Sequence, residues 1–76
     1  MAKIKKEIKY NIIEEIETLK TSGKWETKVC MVSWFEKEPK LDIRTWNSET
    51  GDPGKGICLD EDEAVALMDI IKERYL

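Results

Sequence analysis

Two tryptophans and three cations alternate along the middle of this sequence, and that pattern suits the binding of unpaired nucleic-acid bases. Lys28, Cys30, Val32 and Trp34 form one alternating set; Lys40, Asp42, Arg44 and Trp46 form the next. In an extended strand every second side chain points to the same side. Each set therefore interleaves cations with a large ring on one face. Bases stack on such rings for about 1–3 kcal/mol each, while Lys and Arg neutralise phosphates and release counterions. Bases in a duplex are already stacked on one another, so a single strand fits better. A face meant only for water rarely carries two tryptophans. The same rings also suit a protein-interaction module that docks a partner on exposed Trp34 and Trp46, and RNA on this surface is a third reading.

Catalytic chemistry is poorly supplied. The chain has no His and no nucleophile elbow, and Gly51-Asp52-Pro53-Gly54-Lys55-Gly56 lacks the spacing and the Ser or Thr after Lys that a phosphate cradle needs. It reads instead as a hairpin loop that brings Lys55 to the start of a strand, within reach of a backbone phosphate. Two scattered cysteines, Cys30 and Cys58, make neither a disulfide framework nor a zinc site. Free thiols in a reducing, cytoplasmic setting are expected. We read the chain as a binder rather than an enzyme, with no cofactor, metal or small-molecule substrate.

The elements that position these residues follow from the pattern. Trp25 to Phe35 is rich in β-branched and aromatic residues and predicts a strand. Glu36-Lys37-Glu38-Pro39 breaks it, since proline cannot donate to a ladder. Leu41 to Trp46 alternates strictly, Asn47 to Gly54 is loop chemistry, and Gly56 to Leu59 is a short strand. Before them, Ile12, Ile13, Ile16 and Leu19 have a helix-like spacing. Their β-branching nevertheless favours one long or bent strand from about Ile8 to Leu19, closed by a turn at Thr21 to Lys24. After the strands, Asp60 with Glu63 three residues on predicts a capped helix. Ala64, Leu67, Met68, Ile71 and Tyr75 form its apolar stripe. Four strands then one helix is an α+β pattern.

In the two middle strands the opposite alternating set is apolar: Val29, Met31, Leu41 and Ile43, with Trp25 and Phe35 at the ends. We expect the helix to cover that face and leave the Trp34–Trp46 face open. Seventy-six residues make a single domain, 1–76, with a marginal core. Val65, Ile70 and Leu76 extend apolar surface beyond the helix stripe. Both points lead to a homodimer, with Val65, Met68, Ile70 and Ile71 assigned to its interface. No apolar run is long enough to span a membrane, and the basic start Met1-Ala2-Lys3-Ile4-Lys5-Lys6 lacks the apolar core of a signal peptide.

The net charge of −3 is unlike that of most nucleic-acid binders. Its distribution matters more. Residues 60–76 hold two bases against six acids, whereas residues 1–59 hold eleven bases against ten acids.

Specific strings add to this reading. Leu41-Asp42-Ile43-Arg44-Thr45-Trp46, a variable loop, then Gly54-Lys55-Gly56-Ile57-Cys58-Leu59 and an acidic helix start resemble the positive cofactor four family. These are eukaryotic single-stranded-DNA-binding transcriptional coactivators with short bacterial relatives, and the resemblance covers roughly residues 25–71. It implies a curved four-stranded antiparallel sheet followed by one C-terminal helix, a homodimer, and a groove for single-stranded DNA. It implies that Arg44, Lys55 and Lys28 contact the backbone of the strand and that Trp46 and Trp34 stack on bases. Lys37 and Lys40 take the place of basic residues in the hairpin. Glu36 and Glu38 depart from the family's more basic hairpin. The expected function is sequence-tolerant single-strand binding in transcription, replication or repair.

Overall fold

A computed structural model describes residues 9–76. The basic start and Ile8 lie outside the described residues. Four strands, β1 (Tyr10–Ser22), β2 (Trp25–Trp34), β3 (Lys40–Asn47) and β4 (Pro53–Leu59), form one antiparallel sheet in the order β1-β2-β3-β4, followed by helix α1 (Glu61–Tyr75). This is the α+β architecture the pattern predicts. No helix among the described residues is long and apolar enough to cross a membrane.

The helix-like spacing in β1 has a local cause. Pairing with β2 shifts register between Ile12 and Glu14, between Glu15 and Glu17, and between Thr18 and Lys20. The extra residues are Ile13, Ile16 and Leu19. A bulge every third residue imposes a period of three on a strand and bends it strongly. The strand also runs three residues further than expected. The turn is Gly23-Lys24 alone, with Gly23 at φ 60°. A positive φ at the first turn position only is the II′ pattern, which matches the twist of a hairpin.

The β2–β3 connection starts with a tight turn in which the Lys37 N–H donates to the Trp34 carbonyl at 3.0 Å. Phe35 and Glu36 occupy its centre at φ 54° and 62°. β4 begins at Pro53, earlier than expected, where an edge strand tolerates proline as its first residue. In the preceding loop, Asn47 Oδ1 accepts from the N–H groups of Glu49 and Thr50. The predicted capping box is present: Glu63 N–H donates to Asp60 Oδ1 at 2.9 Å and Asp60 N–H to Glu63 Oε1 at 3.0 Å.

Strand pairing keeps the two alternating sets apart, with Lys28 opposite Arg44, Cys30 opposite Asp42, and Met31 opposite Leu41. The expected roles of the two faces are corrected, however. Four buried residues, Cys30, Val32, Asp42 and Trp46, belong to the face expected to be open, while Leu59 and Ser33 are buried on the other. Val29, Met31, Leu41 and Ile43 are only half-buried. The helix approaches β3 and β4 near its first turns, where Met31, Leu41, Leu59 and Ala64 line a shared cleft. Curvature explains the reversal. Eight residues at about 3.3 Å each would put Trp34 about 26 Å from Glu26, the partner of Trp46, in a flat sheet. Yet the Tyr10 ring lies 5.3 Å from that of Trp34 and 5.5 Å from that of Trp46. The sheet is rolled, and its ring-bearing face is inside the roll.

Candidate nucleic-acid interface

The centre of the rolled face is a charged hub. Asp42 is fully buried. Its carboxylate accepts from Arg44 Nε at 2.6 Å, from Arg44 Nη2 at 2.9 Å and from Trp34 Nε1 at 3.0 Å. Arg44 Nη1 donates to the Gly54 carbonyl at 3.1 Å. The guanidinium lies over the Trp34 ring, 4.6 Å from its centroid. Two parallel bonds to one carboxylate fix its plane as well as its position. Asp42 and Arg44 sit two apart on β3, so alternation alone brings them to the same side.

Lys28 is compensated in a similar way. Its Nζ lies 3.3 Å from Glu15 and 3.6 Å from Glu26. Burial works against its charge, but the hydrogen bond and the negative charge of Glu15, with those of Glu26, outweigh this and raise its pKa. The neighbouring Cys30 thiol is pushed up by burial first, then by Glu15 and Asp42, with Lys28 working the other way. On the floor of the roll, every expected cation already has a carboxylate partner.

The rim is different. Trp34 is half-buried, and with Phe35, Lys37, Glu38, Lys40 and Cys58 it lines a shallow recess of about 150 Å³. Among the described residues neither Lys37 nor Lys40 has a carboxylate within 4 Å. Phe35 was assigned to the helix-covered face; the structure puts it in solvent, 56% exposed. The turn causes this, because a left-handed backbone at Phe35 ends the strand alternation. A bulky residue there is strained, and such strain gathers at functional positions.

Trp46 departs furthest from expectation. It is 5% exposed, packed against Tyr10, and its Nε1 is buried without a hydrogen-bond partner. Its ring offers no open face to a base. Lys55 also stands apart: strand alternation puts it on the side of Ile57, opposite Gly56 and Arg44. The structure thus brings Trp34, Lys37 and Lys40 together, places Arg44 and Lys28 in ion pairs beside them, and leaves Lys55 on the other face. Tyr10 and Phe35 are the additions. An aromatic at the start of β1 signals Tyr10, but only the pairing with Trp34 shows its use.

A family model described as Transcriptional Coactivator p15 (PC4) matches residues 22–70. The chain belongs to the PC4 family. It is also 35% identical over 68 residues to an uncharacterised protein of Treponema pallidum (strain Nichols), covering 88% of this chain and 80% of that protein. The PC4 family is associated with single-stranded DNA binding and transcription coactivation. The matched segment runs from the end of β1 through most of α1, so it contains the Asp42–Arg44 hub, the Trp34 rim and Lys55.

Among the described residues no group of three or more His, Cys, Asp or Glu is placed to hold a metal ion.

Proposed function

We propose that this PC4-family protein binds single-stranded DNA, without strict sequence preference, along the rim around Trp34. The observation that carries the proposal is the recess where an accessible tryptophan meets two lysines free of carboxylate partners among the described residues. Trp34 and Phe35 supply rings for bases, and Lys37 and Lys40 supply charge for phosphates. Lys28 supports the floor, whereas Lys55, on the other face, stands outside this rim. Trp46 acts from beneath by holding Tyr10 against Trp34.

The folded unit in this reading is a homodimer. No residue of α1 is buried, and Val65, Met68, Ile70 and Ile71 are all exposed. Exposed apolar surface of this kind, in a domain with so small a core, suits a second copy. The two thiols are free, which suits the reducing cytoplasm. A role in transcription, replication or repair, as a binder rather than an enzyme, accords with the family.

Tryptophan fluorescence titration with oligo-dT, with the matched ribo-oligomer and with a matched duplex tests this at low and high salt. Tight, salt-sensitive quenching by oligo-dT, with weaker response to duplex, is expected. Binding that ignores salt, or no response to any single strand, would refute it. Equal or tighter binding of the ribo-oligomer would reassign the ligand to RNA.

A further inference from the structure

We infer that Arg44 meets a bound strand as a stacking plane rather than as a phosphate contact, and that Asp42 is the positioning residue that makes it one. This rests on the single-strand reading above and deepens it. A phosphate contact needs charge that is not already spent, whereas Arg44 gives Nε and Nη2 to one carboxylate and Nη1 to the Gly54 carbonyl. Asp42 has no exposed surface, so water does not screen it from Arg44. Net charge at the pair is zero. A phosphate arriving there meets a pair whose charge is already balanced and a guanidinium with only one N–H left on each Nη.

What remains available is the flat guanidinium itself. Its Cζ lies over the Trp34 ring, 4.6 Å from the centroid. The side chain keeps 15% of its surface exposed. Guanidinium groups stack on aromatic rings, and single-stranded bases stack on guanidinium planes as they do on rings. Trp34 and Arg44 together form a two-layer platform. Asp42 grips both layers, through Trp34 Nε1 and through the guanidinium edge. Gly56 stands opposite Arg44 on β4, where a Cβ would collide with the Arg44 Cα and Cβ, so only glycine lets β4 come this close to the platform.

Salt dependence separates a plane from a charge. Each phosphate contact on a single strand contributes about 0.7 to the slope of log K against log salt. Oligo-dT binding is therefore measured by fluorescence between low and high salt for the wild type and two variants. Arg44→Lys keeps a charge to pair with Asp42 but has no plane. Its affinity is expected to fall by about 5- to 150-fold, the range for one stacked base, with the wild-type slope. The double variant Asp42→Asn/Arg44→Gln removes both charges at once and leaves no buried charge unpaired. It too should keep the wild-type slope while binding more weakly. Circular dichroism at the titration temperature establishes that each is folded; should the double variant not fold, Arg44→Lys decides alone. Arg44→Lys binding as the wild type does, or a slope reduced by about 0.7 in the double variant, would overturn the inference while leaving single-strand binding intact. A wild-type protein that binds no single strand would refute the parent reading instead.

Discussion

Gly56 faces Arg44 across the β3–β4 ladder with no room between them for a methyl group. Any side chain at Gly56 would meet the Arg44 backbone and Cβ, which cannot yield as a flexible chain end can. Gly56→Ala is expected to destabilise the domain by about 1–3 kcal/mol, the range for forced overpacking. Urea unfolding followed by circular dichroism measures this; an unchanged midpoint would show that β4 shifts freely.

Trp46 is the largest hydrophobic side chain in the buried set. Trp46→Ala is expected to cost about 3–5 kcal/mol of stability, a large share of what a small domain has. Trp46→Phe keeps most of the packing and removes the unpartnered Nε1 donor, so it should be far milder. Thermal melts of the two variants side by side check the order. Equal, small effects would mean that the roll does not depend on this ring.

Lys28 makes stability depend on pH in a defined direction. Its pKa in the fold lies above the ordinary value of 10.5, because Glu15 and Glu26 outweigh the effect of burial. The stabilisation is therefore fully present below about pH 10.5 and is lost as pH rises through the folded-state value. Lys28→Met should be less stable than the wild type at pH 8, with the gap narrowing above pH 10.5. Denaturant melts at pH 8 and at the alkaline end test this; a gap that widens with pH would contradict the sign.

The two thiols differ in access. Cys30 is buried and its thiol is pushed up, whereas Cys58 is exposed at the rim recess. A colorimetric thiol reagent at pH 8 should label one thiol rapidly and the second only with denaturant, since exposed thiolate is the reactive form. Cys58→Ser should abolish the fast phase. Two fast thiols in the native protein would show that the roll opens readily.

Light scattering at micromolar concentration should return twice the mass of one chain. Ile70→Asp, at an exposed position of α1, should shift the mass towards one chain and lower the urea midpoint, because the dimer is the folded unit. A wild-type monomer would remove the helix from the interface.

Element order was legible because each element carries its own short-range signal. Asp60 with Glu63 marked the helix start, Gly23 the first hairpin and Pro39 the break between β2 and β3. Alternation also fixed which residues share a face, since that depends only on strand geometry: Lys28, Trp34, Arg44 and Trp46 do lie on one side. What alternation cannot fix is which side a sheet rolls towards. That was decided by the three bulges of β1, which read as a helix-like period in one dimension, and by Tyr10 joining Trp34 to Trp46 across the roll. The same closure turned Trp46 from a surface ring into a core ring, whereas the carboxylate partners of Arg44 and Lys28 come from same-strand and neighbouring-strand positions. Phe35 reached solvent through a left-handed turn that no alternating pattern encodes. Local propensity acts between neighbours in sequence and so can be read there, whereas curvature sums contacts between distant residues and exists only in the folded chain.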